Sequence, residues 1–126
     1  MTAAARCLDD GLLAELQKIV GNRVVTNASV RDQHGRDASY HAGYPPDAVV
    51  FAHATDEVAA VVRACAASGT SIVPQGGNTG LAVGSTPDTS GTQVVLSLTR
   101  MAAVRALDKD NLTMTVEAGC ILQNVQ

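Results

Sequence analysis

Val73-Pro-Gln-Gly-Gly-Asn-Thr-Gly-Leu81 is the stretch whose reading decides what the rest of the chain can be. Glycines at 76, 77 and 80 remove Cβ atoms from one surface and permit backbone angles closed to other residues. Successive amides can then turn toward one anion and form a concave nest. Asn78 and Thr79 add side-chain donors. A pyrophosphate suits such a cradle because it is doubly charged and takes many short hydrogen bonds. Two familiar phosphate loops do not match. A Walker loop needs Gly-Lys-Ser/Thr after its glycines. A Rossmann loop needs Gly-x-Gly-x-x-Gly opening a helix, and Ala82-Val83-Gly84-Ser85 begins no amphipathic helix. The cradle must rest on strand and loop. Spacing alone leaves a second reading open, a glycine-rich turn between two strands with no ligand.

Upstream, Ser71-Ile-Val-Pro74 predicts a strand, and Asp47-Ala-Val-Val-Phe-Ala52 predicts an earlier, buried one. Between them Thr55 is placed to cap a helix, with Asp56 and Glu57 near its positive end. Val58, Val61, Val62, Cys65 and Ala66 mark one helical face, and Gly69 ends it. The result is a β-α-β unit. Before it, residues 22–47 are polar and read as irregular, closing in Pro45-Pro46. Leu8, Leu12, Leu16, Ile19 and Val20 repeat at helical spacing until Gly21-Asn22. Downstream, Thr86 to Gly91 is a turn and Val94 to Leu98 a third strand. Val104 to Leu107 and Leu112 to Glu117 form a hairpin through Asp108-Lys-Asp-Asn111. The alternation in Thr113-Met-Thr-Val-Glu117 predicts a half-buried strand. Gly119 closes it, and Cys120 to Gln126 starts a helix at which the sequence stops. A domain boundary is expected in a linker, so the chain reads as a truncated piece.

The 126 residues suffice for one domain, and 46% hydrophobic against 17% charged residues supports a packed core. One Phe, two Tyr and no Trp make that core aliphatic. The net charge is −3, and no basic run carries interleaved aromatics, so nucleic acid is not the expected partner. No apolar stretch approaches the roughly 18 residues of a membrane span. Met1 to Leu8 lacks a long apolar run before Asp9-Asp10, which argues against a secretory signal. Cys7, Cys65 and Cys120 are widely spaced, as expected of reduced thiols in a cytoplasmic protein.

Other residues invite chemistry and yield to plainer readings. His34, His41 and His53 do not match the spacing of a helix-borne metal pair, and no Cys or carboxylate pattern accompanies them. They read as loop histidines, and no metal ligand is assigned. Asp32 with Asp37, and Asp108 with Asp110, lie where Asp is favoured for local turn geometry. Cys65 falls on an apolar helix face and reads as core. Cys120 sits near a helix start, where a thiol pKa can fall, but packing explains it as well. Arg31 and Arg36 read as solvated.

Pro45-Pro-Asp-Ala-Val-Val50, Thr55-x-Glu-Val58, the Val73–Leu81 loop, Val95-Leu-Ser-Leu-x-Arg-Met101 and Val116-Glu-Ala-Gly-Cys120 together resemble, in order and spacing, the FAD-linked oxidases. These are the flavoproteins of the vanillyl-alcohol-oxidase/p-cresol-methylhydroxylase (PCMH) type, and the likeness is nearest to D-lactate, glycolate and D-2-hydroxyglutarate dehydrogenases. The likeness covers roughly residues 30–126. It implies an α+β fold, the N-terminal part of a two-subdomain PCMH-type FAD-binding domain. Residues 1–43 would be an N-terminal helix and irregular segment, and residues 44–126 a partial FAD-binding domain.

The resemblance further implies that Pro74, Gln75, Gly76, Gly77, Asn78, Thr79, Gly80 and Leu81 wrap the FAD pyrophosphate, mostly through backbone amides, with Gly84 and Ser85 continuing the cradle. Some members attach flavin covalently through a histidine after a Gly-Gly pair. This chain has Asn78 there, so non-covalent FAD is expected. The chain departs from the family at three positions: Val83 where a second glycine is usual, Ala52 for a common proline, and Ala102 for an Asn. If position 83 needs a positive φ, a β-branched residue is strained there. The family's substrate domain has no counterpart here, so no catalytic residue is assigned, and a 2-hydroxy acid would be the substrate only of a longer parent. The alternative is a truncated non-catalytic remnant, or a nucleotide-binding module. Strands near Val116 would expose an edge through which the chain could self-associate.

Overall fold

The computed structural model describes residues 8–126, so Cys7 lies outside the described residues. Helix α1 spans Asp10–Val20. Asp9 caps it by accepting from the Gly11 amide at 3.1 Å, which satisfies one of the amides that a helix start leaves unbonded. A 3-10 turn, Gly21–Arg23, leads to the short strand β1, Val24–Val25, and then to a six-residue helix α2, Ala28–Gln33, capped by Asn27. These three elements fall where the sequence reads as irregular. A two-residue strand exists only through its partner, and a six-residue helix carries too little pattern to announce itself.

Strand β2 is Ala48–Phe51, helix α3 is Thr55–Ala67, strand β3 is Ile72–Gln75 and strand β4 is Val94–Ser97. The sheet order is β1-β2-β4-β3, with β4 parallel to both neighbours and β1 antiparallel to β2. The two strands of the β-α-β unit are therefore not adjacent, because the later β4 slots between them. β4 is buried along its whole length, as a continuous apolar run in a parallel interior strand must be. Pro74 sits on β3, an edge strand, where its missing amide costs no ladder bond.

Each face of the sheet is covered. On one side α1 and α3 bury Leu12, Leu16, Val20, Val61 and Cys65 against Ala48, Val50, Val94 and Leu96. Burying one such aliphatic side chain stabilises by about 1.5–3 kcal/mol. On the other side Val49, Val73 and Val95 meet Val30 of α2 and Phe51. Within α3 only Val61 and Cys65 are buried, and Val62 is 44% exposed, so the buried stripe is narrower than its apolar pattern. Thr55 is not the cap. Ala54 takes that position without a side-chain bond, and the Thr55 hydroxyl accepts instead from Arg105 at 3.2 Å. Gly69 ends α3 at φ +70°, with the Thr70 amide reaching back to the Cys65 carbonyl at 2.9 Å.

Strands β5, Val104–Asp108, and β6, Thr113–Val116, form the expected antiparallel hairpin, with a bulge between Val104 and Ala106. Both strands are exposed throughout, so β6 is not half-buried. Its alternation is real, but the described residues supply nothing to cover its apolar side. Beyond the hairpin, Gly119 is tied to the segment that follows β4, its amide donating to the Met101 carbonyl at 2.8 Å. A four-residue helix α4, Leu122–Val125, follows.

Candidate functional site: the loop after strand β3

β2, β3 and β4 run parallel, so their carboxyl ends share one edge of the sheet. That edge is where open sheets of this kind receive ligands. The chain leaves β3 there and returns to β4 through residues 76–93, which contain neither helix nor strand. A parallel connection usually runs through a helix, and a long structureless one points to a functional loop.

Gln75, at the end of β3, anchors the loop. It is 1% exposed, and its side-chain amide donates to the carbonyls of His34 at 2.6 Å and Ser85 at 2.8 Å. Its oxygen is then free to accept from His34 Nδ1 at 2.8 Å, which sets the proton on that nitrogen. His34 stands edge-on to Phe51, centroids 5.4 Å apart, and Arg100 lies 4.9 Å above the same ring. Asn78 closes the loop on itself: its Nδ2 donates to the Arg36 carbonyl, and its Oδ1 accepts from Ser85 Oγ at 2.8 Å. Asp37 accepts from the amides of Ser39 at 2.8 Å and Val83 at 3.0 Å. Those bonds hold its carboxyl below the usual carboxylate range, the Ser39 contact most of all. The Ala38 amide donates to the Gly80 carbonyl at 3.2 Å.

The left-handed backbone of this loop does not fall on the glycines that the sequence reading selected. None of Gly76, Gly77, Gly80 and Gly84 has a positive φ; between residues 76 and 85 the left-handed residues are Asn78 at 56° and Val83 at 55°. What the glycines leave is room. A Cβ on Gly77 or Gly80 would meet nothing closer than 3.9 Å, and one on Gly84 nothing within 4 Å. Internal packing therefore does not require glycine at these positions. Among the described residues, no carbonyl or side chain accepts from the amides of Gly77, Asn78, Thr79 or Gly80. A row of open amides beside space that side chains would fill fits a bound anion. Thr79, Gly80 and Leu81 are exposed, so the donors are within reach of solvent.

A cleft of about 630 Å³ adjoins the loop along the free edge of β3. Pro74 and Gly84 line it with His41, Tyr44 and Pro87, whereas Gly76 to Leu81 lie outside it. The ten sequence-selected residues run from the end of β3 into the loop that follows it and differ in their surroundings. The Gln75 and Asn78 side chains and Ser85 brace the loop, Gly77 to Gly80 offer amides, and Pro74 and Gly84 face the cleft.

The sequence reading took His34 as a loop histidine, Arg36 as solvated and Asp37 as a turn residue, and did not find the contacts of residues 34–39 with the loop. Asp37-x-Ser39 is a recognisable local turn, but Val83, the partner that matters, is remote in sequence. Arg31 is not simply solvated, since its Nε donates to the Pro46 carbonyl at 2.8 Å. His41 stacks on Tyr40, centroids 4.6 Å apart. Asp108 accepts from the amides of Asp110 and Asn111, each at 3.0 Å, as a turn residue does. Cys65 is buried and its thiol pKa is pushed up by that burial, so it is core. Cys120 is half-buried, with Sγ 3.6 Å from the Ala103 carbonyl. No metal-binding group of His, Cys, Asp or Glu occurs among the described residues, and none of their helices is long and apolar enough to cross a membrane.

The FAD binding domain family matches residues 46–126, a stretch that contains the loop and the strands that carry it. The chain belongs to that family. A probable mitochondrial D-lactate dehydrogenase of Danio rerio is 36% identical over 109 residues, covering 86% of this chain. The chain spans only 22% of that relative's length. Among solved structures, alkyldihydroxyacetonephosphate synthase superposes with a TM-score of 0.85 at 18% identity, covering 99% of this chain and 25% of the other. p-Cresol methylhydroxylase superposes at 0.76 and 19% identity, covering 90% of this chain and 24% of the other. At such identities the likeness is one of fold. It agrees with the α+β, PCMH-type architecture, and family membership makes FAD the ligand the loop is to be read against.

Proposed function

We propose that the loop from Pro74 to Leu81, with Gly84 and Ser85, cradles the pyrophosphate of FAD. The supporting observation is the coincidence, in one exposed loop, of amides at residues 77–80 without an internal acceptor and glycines at 77, 80 and 84 that packing does not require. Gln75, Asn78 and Ser85 keep those amides preorganised, so little ordering cost falls on binding. FAD would supply the redox chemistry, and the chain's residues would hold and orient it. The match with a D-lactate dehydrogenase supports a 2-hydroxy acid, of the D-lactate, glycolate or D-2-hydroxyglutarate kind, as the substrate of the whole enzyme. Residues 44–126 would form its flavin-binding part. Asn78 offers no nucleophile at the position where some family members carry a flavin-linking histidine, which supports non-covalent FAD.

The test is a fluorescence titration of the chain with FAD, competed by free ADP. Saturable binding, weakened roughly tenfold or more by Gly77→Val or Gly80→Val, is the expected result. Bound flavin should leave the protein on acid precipitation. Folded protein that binds no FAD, or valine variants that bind as well as the parent, would remove the loop assignment.

The hairpin supports a further reading, self-association through its uncovered side. Val104 faces Val116 and Leu107 faces Met114 across the strands, and all four are at least 37% exposed. Light scattering at rising concentration should show a dimer. A monomer throughout would reject that reading.

A further inference from the structure

We infer that Asp37 is a positioning residue for the anion-facing loop: its carboxylate holds Val83 in the left-handed conformation and so fixes where the loop turns out at Gly84 and Ser85. Val83 is the anomaly that leads there. A β-branched residue at φ 55° is strained, because its side chain crowds the following carbonyl there. Packing offsets little of this strain, because the residue is 40% exposed. The compensation is in hydrogen bonds. The Val83 amide donates to Asp37 Oδ2 at 3.0 Å, and the Val83 carbonyl accepts from the amide of Thr86 at 3.3 Å and its hydroxyl at 2.9 Å. A bond to a carboxylate is about twice as strong as one between neutral groups.

Asp37 is itself held. Its other oxygen takes the Ser39 amide, and the neighbouring Ala38 amide donates to the Gly80 carbonyl. One short segment therefore grips the loop at Gly80 and again at Val83, on either side of its most exposed turn. Asn78, the other left-handed residue, needs no such pin, since Asn tolerates that region. Remove the carboxylate and Val83 relaxes toward an ordinary φ, which swings the backbone at Gly84 and misplaces the amides before it.

The inference uses the FAD reading only for its binding probe, so two readouts are taken on the full chain. Amide exchange at Val83 reports the pin directly, and FAD titration reports its consequence. Asp37→Ala should speed Val83 exchange by roughly tenfold and weaken FAD by a similar factor. Adding Val83→Gly should recover most of the lost affinity, because glycine takes φ 55° without strain. A merely structural role for Asp37 predicts no such rescue. Unchanged Val83 exchange in Asp37→Ala, or a double variant that binds no better than the single one, overturns the inference. If the parent chain binds no FAD, the cofactor reading falls and the exchange measurement still decides this one. Should Asp37→Ala not fold, Asp37→Asn, with and without Val83→Gly, decides it: a smaller loss of FAD affinity and the same rescue are expected, and no rescue overturns it.

Discussion

Gly119 shows how much one absent methyl group can carry. A Cβ built there would lie 1.9 Å from the Leu98 carbonyl oxygen and 2.9 Å from that of Met101. Both atoms belong to backbone, so neither can swing aside as a side chain would. Gly119→Ala is expected to cost at least about 3 kcal/mol, read as a lowered urea midpoint with the slope unchanged. A loss below about 1 kcal/mol would mean that the hairpin junction is looser than its geometry. Gly119 was legible as a strand end, and Gly76, Gly77 and Gly80 as a possible anion loop. Their physical basis was not legible, because open space and close backbone approach are properties of neighbours distant in sequence. Val83 lay between these cases: its chemistry warned of strain if φ were positive, and only the folded loop made it so.

At the scale of elements, α3 shows both sides of the comparison. Its stop at Gly69 and the Val61 and Cys65 part of its apolar stripe follow from local sequence, whereas its start does not, since Ala54 and not Thr55 takes the cap position. Nor does its attachment. Glu57, in its first turn, accepts from both Nη atoms of the Arg23 guanidinium and from the His53 amide, while Arg23 also donates to the Phe51 carbonyl at 2.9 Å. The cluster ties the turn after α1, the end of β2 and the start of α3 together. The Arg23 hydrogen bonds hold the Glu57 carboxyl down to about 2 from 4.5. A depressed carboxylate pKa stabilises the fold above the unfolded value and loses that contribution as pH falls through the folded one. Glu57→Gln should therefore cost roughly 1–3 kcal/mol near neutral pH. The gap between variant and parent should close as pH falls from about 4.5 toward about 2, followed by urea unfolding. A gap that persists at the acid end would show that the Arg23 contact contributes little through charge.

For the whole molecule, local pattern was enough to place most of the main strands and helices, to make the core aliphatic, to single out the loop after β3, and to select the family. Alternation and helical spacing record which side of an element avoids water, and glycine clusters record where side chains are excluded. The short β1 and α2, the insertion of β4 between β2 and β3, the grip of residues 34–39 on the loop, and the bare side of the β5–β6 hairpin came only with the tertiary structure. Strand order depends on which edge offers the better long-range pairing. A carboxylate such as Asp37 finds its amide only after the sheet has brought two remote segments together, and burial is decided by whatever else is there to pack. Periodicity along a chain encodes a preference for a partner surface, and the partner itself is chosen in three dimensions.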